Sequence, residues 1–553
     1  MGPTFDRRKL LLGGAATAAG IAGMGALDWE SLAGAAASNN GPGRNGISTA
    51  KPKRGGSLVF GVDAEESGFD PTQARFDEVG VMYARTVFDP LTIVTEEGGW
   101  VPYLAESVVP NSDYTTWTIT LRPNVLFHDG TPCNGAALVT NLKAQAKSVL
   151  TGIVIDPILI SIVQSGPLAA TISFKSPWAP FPFYLAGGIG GQIAYVVAPA
   201  MLTNPNGTSH PVGTGPFVFK EWVPNSHFTA TANPHYWRPG LPYLDEITFK
   251  PIIDEDARAE ALKSGTIDIM VTDTPQIITQ FRGNKDYAYI DDSTHVVGEP
   301  DMNCILLNLA KEPFDNPSVR RAAAMAINRT QYAKEIDDNV LPVSTGLFTP
   351  GSPYYSATAY PAYNPTEAKK LVEQVRKSTG KPVSFTFGST NGPAAERAQQ
   401  YLQQAWQEVG FDVSTNIVEQ NDIINDALAG SYQALEWRQF GAVDPDLNYI
   451  FWSTTTILSS NLSINMARNM DPQLQAALEQ GRQSTDPAVR AKAYQTVNKR
   501  LAVDLPYLWT DRAVWSVESA LKVQNWNNPT TPTGAPAYGM IGGSIWPTQI
   551  WLS

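Results

Sequence analysis

Strands are predicted in the first half of the chain, where apolar and polar residues alternate. A period of two places successive side chains on opposite faces of a strand. The predicted strands cover residues 57–62, 115–123, 169–177 and 245–252. Turns rich in Pro and Gly separate these short elements, and a helix is predicted over 135–150.

Helical spacing of apolar residues becomes prominent from about residue 300. The predicted helices cover residues 316–336, 364–380, 394–410, 471–484 and 486–504. Strands predicted over 381–390 and 411–419 flank the third of these helices. This strand–helix–strand order predicts a parallel crossover in an α/β lobe.

The N-terminal 37 residues are predicted to be an export signal. Arg7, Arg8 and Lys9 precede an apolar run from Leu10 to Leu27, and an Ala-rich stretch offers cleavage after Ala37. The paired arginines resemble a twin-arginine signal. A retained membrane anchor is the alternative, but most of the apolar run is Gly or Ala, which contribute little transfer energy. Residues 38–56 are predicted to form a flexible tether.

Composition narrows the class of protein. A chain of 553 residues exceeds what one hydrophobic core usually supports, so at least two lobes are expected. Its net charge of −12 disfavours nucleic-acid binding, which normally needs a basic surface. The two cysteines, Cys133 and Cys304, are expected to be free or buried thiols rather than a disulfide.

No familiar catalytic signature is present in the sequence. It lacks a G-x-S-x-G elbow, a Walker loop, an H-E-x-x-H pair and a C-x-x-C pair, and its five histidines are scattered. Neither an enzyme nor a metal or cofactor site is therefore expected. A carboxylate pair of the glycoside-hydrolase kind leaves no sequence signature and stays open. His128 precedes the turn dipeptide Asp129-Gly130, and we expect it to form local hydrogen bonds without doing chemistry.

Several segments, in the same order along the chain, resemble the extracytoplasmic solute-binding proteins of peptide-type ABC importers. This group is family 5, which includes dipeptide-, oligopeptide- and nickel-binding proteins. The resemblance extends from about residue 55 to 525. Its segments are GGSLVFGV at 55–62, YLAESVVPNSDYTTWTITLRPNVLFHDGTP at 103–132, PVGTGPFVFKEW at 211–222, NPHYWRPGLPYLDEITFKPI at 233–252, ALKSGTIDIM at 261–270 and ILLNLAKEPFDNPSVRRAAAMAINR at 305–329.

The resemblance implies an α/β, two-lobed periplasmic-binding-protein (Venus-flytrap) fold, class II-like, with an extra subdomain in lobe I. Lobe I would cover 57–295 with the subdomain at about 85–205, lobe II would cover 296–508, and residues 509–553 would return to lobe I. A two-segment hinge is implied near 292–302 and 505–513. The implied protein is an exported monomer in the periplasmic or extracytoplasmic space that delivers a solute to an ABC permease and its ATPase subunits. The alternatives are an exported receptor that signals or captures solute without transport, and an exported hydrolase.

The resemblance also suggests where a ligand binds. Peptide-binding members hold the peptide amine with an aspartate three residues before a D-P or E-P pair. That pair is Asp444-Pro445 in this chain, and Gly441 stands at the position of the aspartate. Free-amino peptides are therefore in doubt, Asp444 is a candidate substitute, and Gly441→Asp is expected to add peptide affinity. Trp437 and Phe440 suit a sugar or an aromatic group. The further candidate ligand-binding residues are Glu66, Ser67, Tyr83, Asn391 and Asn461.

Overall fold

The structure is a computed structural model that describes residues 45–553 except 75, 149, 189–190, 294–296 and 458–462. The predicted export signal and the first part of the predicted tether lie outside the described residues. In the described part of the chain, no helix is both long and apolar enough to cross a membrane.

The larger sheet of lobe I has seven strands. In their order across the sheet they are Tyr287–Asp291, Ser516–Ala520, Ile269–Thr272, Ser57–Val62, Glu246–Pro251, His227–Ala232 and Phe217–Val223. The strand Ser57–Val62 pairs in parallel with both of its neighbours. Leu58, Phe60 and Val62 alternate into one buried core, as expected for a strand with one face on a hydrophobic layer.

The inserted subdomain is built on a four-stranded antiparallel sheet. Its strands, in order across the sheet, are Ala105–Pro110, Thr116–Leu121, Ala169–Phe174 and Leu159–Gln164. In Thr116–Leu121, every second residue is buried, which confirms the strand predicted from alternation. The predicted helix is also present, as Gly135–Gln145, and it packs against this sheet.

Lobe II contains a five-stranded sheet. Its strands, in order, are Asp412–Val418, Ser384–Thr390, Ala434–Gln439, Met302–Leu307 and Tyr507–Arg512. The first two pair in parallel and are joined by the helix Pro393–Glu408, so the predicted parallel crossover is confirmed. The predicted lobe boundaries stay a prediction, and the boundary at 295/296 falls on residues outside the described part.

The remaining helices surround these sheets. Those of seven or more residues are Glu78–Val87, Glu255–Lys263, Pro275–Phe281, Pro317–Ala326, Arg329–Glu335, Pro365–Thr379, Gln420–Ala429, Pro472–Gln483 and Pro487–Asp504. The single helix predicted over 316–336 is wrong, because the chain forms two helices there. Ile327 is extended, and the Asn328 side chain caps the second helix by accepting a hydrogen bond from the backbone N–H of Gln331 at 3.1 Å.

Candidate functional site

The carboxyl ends of parallel strands from both lobes lie along one cleft. In lobe I, Asp63, Asp273 and Asp292 directly follow or end three strands that run in the same direction. In lobe II, Arg438 lies near the end of the strand Ala434–Gln439 and is paired in register with Asn303. Ligand sites of α/β proteins form at such strand ends. The residues at these ends therefore define the candidate site.

Arg438 connects the two lobes across this cleft. Its Nη2 forms an ion pair with Oδ2 of Asp273 in lobe I, and its Nε donates to Oδ1 of Asn303 at 3.2 Å. Its guanidinium lies 5.0 Å from the ring centroid of Trp515. Burial by itself would lower the pKa of Arg438, but the charges of Asp273 and Glu78 outweigh it and raise the pKa. The side chains of Arg438 and Asp273 keep 29% and 22% exposure, so both remain accessible to a solute.

A small cavity of about 40 Å³ lies between the lobes and the first hinge segment, near 292–302. Its lining includes Val81 and Arg85 from lobe I, Gly441 from lobe II, and Asp292 and Asp301 from or next to the first hinge segment. Burial raises the pKa of Asp292, and the hydrogen bond from the backbone N–H of Trp515 at 2.9 Å opposes that rise. Residues of both lobes border the cavity, and it has room for a few atoms only.

Gly441 has no space for a side chain in this arrangement. A Cβ atom there would lie 2.3 Å from the carbonyl oxygen of Glu299 and 2.8 Å from the backbone nitrogen of Asp301. The Gly441 N–H donates to the Asp301 carboxylate, and Ala442 pairs with Glu299 in a short antiparallel bridge. In this arrangement a Gly441→Asp side chain would collide with the backbone of the first hinge segment, which argues against added peptide affinity, and the expectation itself stays a prediction.

Asp444 is held by Arg490 in the structure. Its two oxygens accept hydrogen bonds from Arg490 Nη2 at 2.7 and 2.6 Å, and one of them also accepts from the backbone N–H of Asp446 at 2.9 Å. The residue is 6% exposed. This carboxylate caps the turn that begins at Pro445. The structure therefore gives Asp444 a structural role and leaves no free carboxylate there to replace the missing anchor.

The two aromatic candidates, Trp437 and Phe440, are both half-buried. Trp437 packs against the large core shared by lobe II and the inserted subdomain, whereas Phe440 contacts Phe451 with ring centroids 5.6 Å apart. Neither borders the interlobe cavity. Their contact with a solute stays a prediction.

The lobe I candidates occupy different environments. Tyr83 is 2% exposed and packs between Phe228 and Phe249, so it belongs to the lobe I core and not to the cleft. Glu66 is also buried, and burial together with the neighbouring Asp77 raises its pKa. Ser67 is exposed.

The two asparagine candidates lie in lobe II of the predicted organisation. Asn391 is exposed and donates to Oε1 of Glu419 at 3.3 Å, next to the helix that begins at Pro393. Asn461 lies outside the described residues.

Sequence reasoning missed Arg438, Asp273 and Asp301, although an aspartate directly after a strand and an arginine in an aromatic run were available signals.

A second contact across the cleft joins the inserted subdomain to lobe II. Trp178 Nε1 donates to Oδ2 of Asp446 at 2.8 Å, and Arg482 Nε donates to Oδ1 of the same carboxylate at 3.0 Å. The Arg482 guanidinium lies 4.5 Å from the Trp178 ring centroid, and its Nη2 donates to the hydroxyl of Tyr184 at 3.0 Å. All four side chains are buried, so this contact excludes water while the lobes are together.

His128 and the cysteines have structural environments. The backbone N–H of Gly213 donates to His128 Nδ1 at 3.3 Å, so Nε2 carries the proton and donates to the carbonyl of Gly215 at 3.0 Å. Burial lowers the pKa of His128 to about 4. The expectation of local hydrogen bonds is wrong, because Gly213 and Gly215 lie 85 and 87 positions away in the sequence, and the expectation that His128 does no chemistry stays a prediction. Cys133 and Cys304 are free and buried, which confirms the expected thiols. The described residues contain no group of three His, Cys, Asp or Glu side chains that could hold a metal ion.

Comparison with known proteins places this architecture in a family. Residues 99–459 match the model of the bacterial extracellular solute-binding proteins, family 5. The glutathione-binding protein GsiB of Pectobacterium atrosepticum is 27% identical over 482 residues, which cover 82% of this chain and 89% of that protein.

Two solved structures have a similar fold. The periplasmic binding protein AgaA of A. tumefaciens R10, in complex with agropinic acid, has a TM-score of 0.78 at 21% identity and covers 90% of this chain and 99% of its own. The binding protein DppA of Helicobacter pylori, in complex with the peptide STSA, has a TM-score of 0.78 at 21% identity and covers 90% and 98%. The chain belongs to the bacterial extracellular solute-binding proteins of family 5.

Proposed function

We propose that this protein is the solute receptor of an ABC import system outside the cytoplasm. It captures a peptide, an oligosaccharide or a similar organic solute between its two lobes and delivers it to a membrane permease. The observation that carries the proposal is the cleft between two sheets, whose accessible Arg438 and Asp273 face each other from opposite lobes. The family match and the named relatives, one glutathione-binding and one in complex with a peptide, support the same role.

Capture works by hinge closure in this proposal. Trp515 lies where the two hinge segments, near 292–302 and 505–513, come together. Its indole donates to Asp301 at 2.9 Å, and its backbone N–H donates to Asp292 at 2.9 Å. A solute that bridges the lobes stabilises the closed form. An affinity near 1 μM corresponds to about −8 kcal/mol, which exceeds the ~5.5 kcal/mol needed to move the lobes from 1:99 to 99:1 in favour of closure.

Several finer points belong to the same proposal. Residues 1–37 direct export by the twin-arginine route, the mature protein acts as a monomer, and the solute leaves chemically unchanged. The candidate residues Trp437 and Phe440 line the outer part of the cleft when the lobes open. Gly441 shapes the inner cavity by allowing the crossover backbone to approach.

The test has two stages. Calorimetry of the protein expressed from its full sequence, against peptides, oligosaccharides and nickel chelates, is expected to show saturable 1:1 binding without turnover. Uptake of the bound solute by cells is then compared with and without the gene. Binding together with normal uptake in the deletion strain would favour the signalling receptor, and conversion of the solute would favour the hydrolase.

A further inference from the structure

The loop after the strand Ser384–Thr390 begins with the pair Asn391-Gly392, and Asn391 is exposed. An asparagine that precedes a glycine can form a cyclic imide, in which the backbone nitrogen of the glycine attacks the side-chain carbonyl carbon of the asparagine. Glycine favours this reaction because it has no Cβ atom to hinder the approach. In a folded protein the reaction also requires that the glycine N–H is not held in a hydrogen bond.

The surroundings of Asn391-Gly392 leave the reacting atoms open. Within the described part of the chain, the Gly392 N–H has no hydrogen-bond acceptor. A Cβ atom placed on Gly392 would meet no heavy atom within 4 Å. The Asn391 side chain donates from Nδ2 to Oε1 of Glu419 at 3.3 Å, which is long for an N–H···O bond. The attacking nitrogen is therefore unpaired, and the amide that it attacks is held only weakly.

The other Asn-Gly pairs of the described residues are protected. They are Asn45-Gly46, Asn134-Gly135 and Asn206-Gly207. The N–H groups of Gly135 and Gly207 donate to the carbonyls of Pro167 at 2.9 Å and Asn204 at 2.8 Å. Gly46 is buried, and a Cβ atom there would lie 2.6 Å from atoms of the Trp526 ring. Asn206 is as exposed as Asn391 in class, so the state of the glycine, and not exposure of the asparagine, distinguishes the two pairs.

Asn391 stands at the rim of the cleft between the lobes. Its strand pairs in parallel with the strand that carries Arg438, and Gly388 is in register with Leu435. Asn391 and Arg438 each follow these partners by the same number of residues, so both lie at the carboxyl ends of neighbouring parallel strands. Ligand sites of α/β proteins form at such ends. A change of charge at Asn391 therefore alters the rim of the candidate site.

We propose that Asn391-Gly392 is a site of spontaneous deamidation in the folded protein, which turns a neutral amide at the rim of the cleft into a carboxylate. The Gly392 nitrogen loses its proton and forms a bond to Cγ of Asn391, the Cγ–Nδ2 bond breaks, and ammonia leaves. Solvent water then opens the imide at either of its carbonyls, which gives an aspartate or an isoaspartate link. Each converted molecule carries one more negative charge. The inference goes beyond the proposed function and does not depend on it.

Peptide mapping of the folded full chain tests the proposal. The protein is incubated in mildly alkaline buffer, and mass spectrometry measures the change from amide to acid at each Asn-Gly pair separately. Conversion at Asn391 is expected to be about tenfold faster than at Asn206, which corresponds to about 1.4 kcal/mol and is the size of one backbone hydrogen bond. In urea the hydrogen bond of Gly207 is lost, so the two rates are expected to converge.

Isoelectric focusing of matched variants provides a second measurement, because the added charge produces an acidic form. All proteins carry Asn40→Gln, since Asn40-Gly41 lies outside the described residues and would add an acidic form of its own. Asn391→Gln is expected to remove most of the acidic form, because glutamine would have to close a larger ring. Asn206→Gln is the matched control, an exposed asparagine before a glycine, and is expected to leave the acidic form unchanged. Conversion at Asn391 that is no faster than at Asn206 in the folded protein, or an acidic form that accumulates equally fast in Asn391→Gln, would overturn the proposal.

Discussion

The buried contact between the inserted subdomain and lobe II is expected to control how readily the lobes close. Trp178→Phe keeps an aromatic ring over Arg482 but removes the N–H that donates to Asp446. Both Asp446 and Arg482 belong to lobe II and keep each other when the lobes part. The variant therefore weakens the closed form and leaves the ion pair of the open form unchanged.

The size of this effect follows from the contacts that are lost. A hydrogen bond to a charged group contributes about 1.5–3 kcal/mol, and the lower end applies because Asp446 keeps its bonds from Arg482. The smaller ring also weakens a cation–π contact worth about 0.5 kcal/mol. The sum is about 2 kcal/mol, which corresponds to about 30-fold in the ratio of closed to open protein.

Spin labels at exposed positions measure that ratio directly. Asp113 in the inserted subdomain and Lys381 in lobe II are exposed, and both native thiols are buried, so introduced cysteines at these positions carry the labels. Pulsed distance measurements are expected to show a larger population of long distances in Trp178→Phe. Trp406→Phe is the control, since that buried indole donates to the carbonyl of Ala323 within lobe II. The reasoning fails if both variants leave the distance distribution unchanged or change it equally.

Three further variants test other parts of the structure. Gly441→Ala is expected to weaken solute affinity by tenfold or more in calorimetry, because its Cβ meets the Glu299 carbonyl; equal affinity would show that the crossover adjusts freely. Burial raises the pKa of Glu518 to about 8, so the native state holds a proton that the unfolded chain releases and stability falls as pH rises from 4.5 to 8. Glu518→Gln should therefore add about 3 kcal/mol at pH 7 and little at pH 4.5 in urea unfolding, and an equal gain at both pH values would contradict this. Because the pKa of His128 is lowered to about 4, the stability that its neutral form contributes is lost as pH falls from 6.5 to 4. His128→Gln should therefore have a lower free energy of unfolding at pH 7, and that free energy should fall less between pH 6.5 and 4 than in the unaltered protein. An equal fall in both proteins would refute the assignment.

The secondary structure followed from the sequence where one face of an element is buried. The alternation in Thr116–Leu121 matches a sheet with one face on the core, and the same pattern identified Ala169–Phe174. The break at Ile327 was missed because the apolar stripe continues across it, whereas the cap at Asn328 depends on local backbone geometry. Periodicity reports burial and not the continuity of hydrogen bonds.

The candidate site was harder to predict because its residues are far apart in the chain. Arg438 and Asp273 are separated by 165 positions, and no local spacing relates them. Tyr83 and Asp444 were reasonable candidates by residue type, yet tertiary packing places one in a core and pairs the other with Arg490. At Gly441 the sequence shows only that an aspartate is missing. The structure shows why glycine fits there, because the Glu299 carbonyl approaches too closely for a side chain.

The strand order of lobe I also has a consequence for biosynthesis. The strand Ser516–Ala520 lies between Ile269–Thr272 and Tyr287–Asp291, so these two strands have no direct pairing with each other. A nascent chain that has not reached residue 516 leaves one of them as an open sheet edge and the other detached, which exposes unpaired backbone to other chains. Lobe I therefore completes its sheet only after nearly the whole polypeptide has been translated, and a holding chaperone would be most needed just before the ribosome finishes.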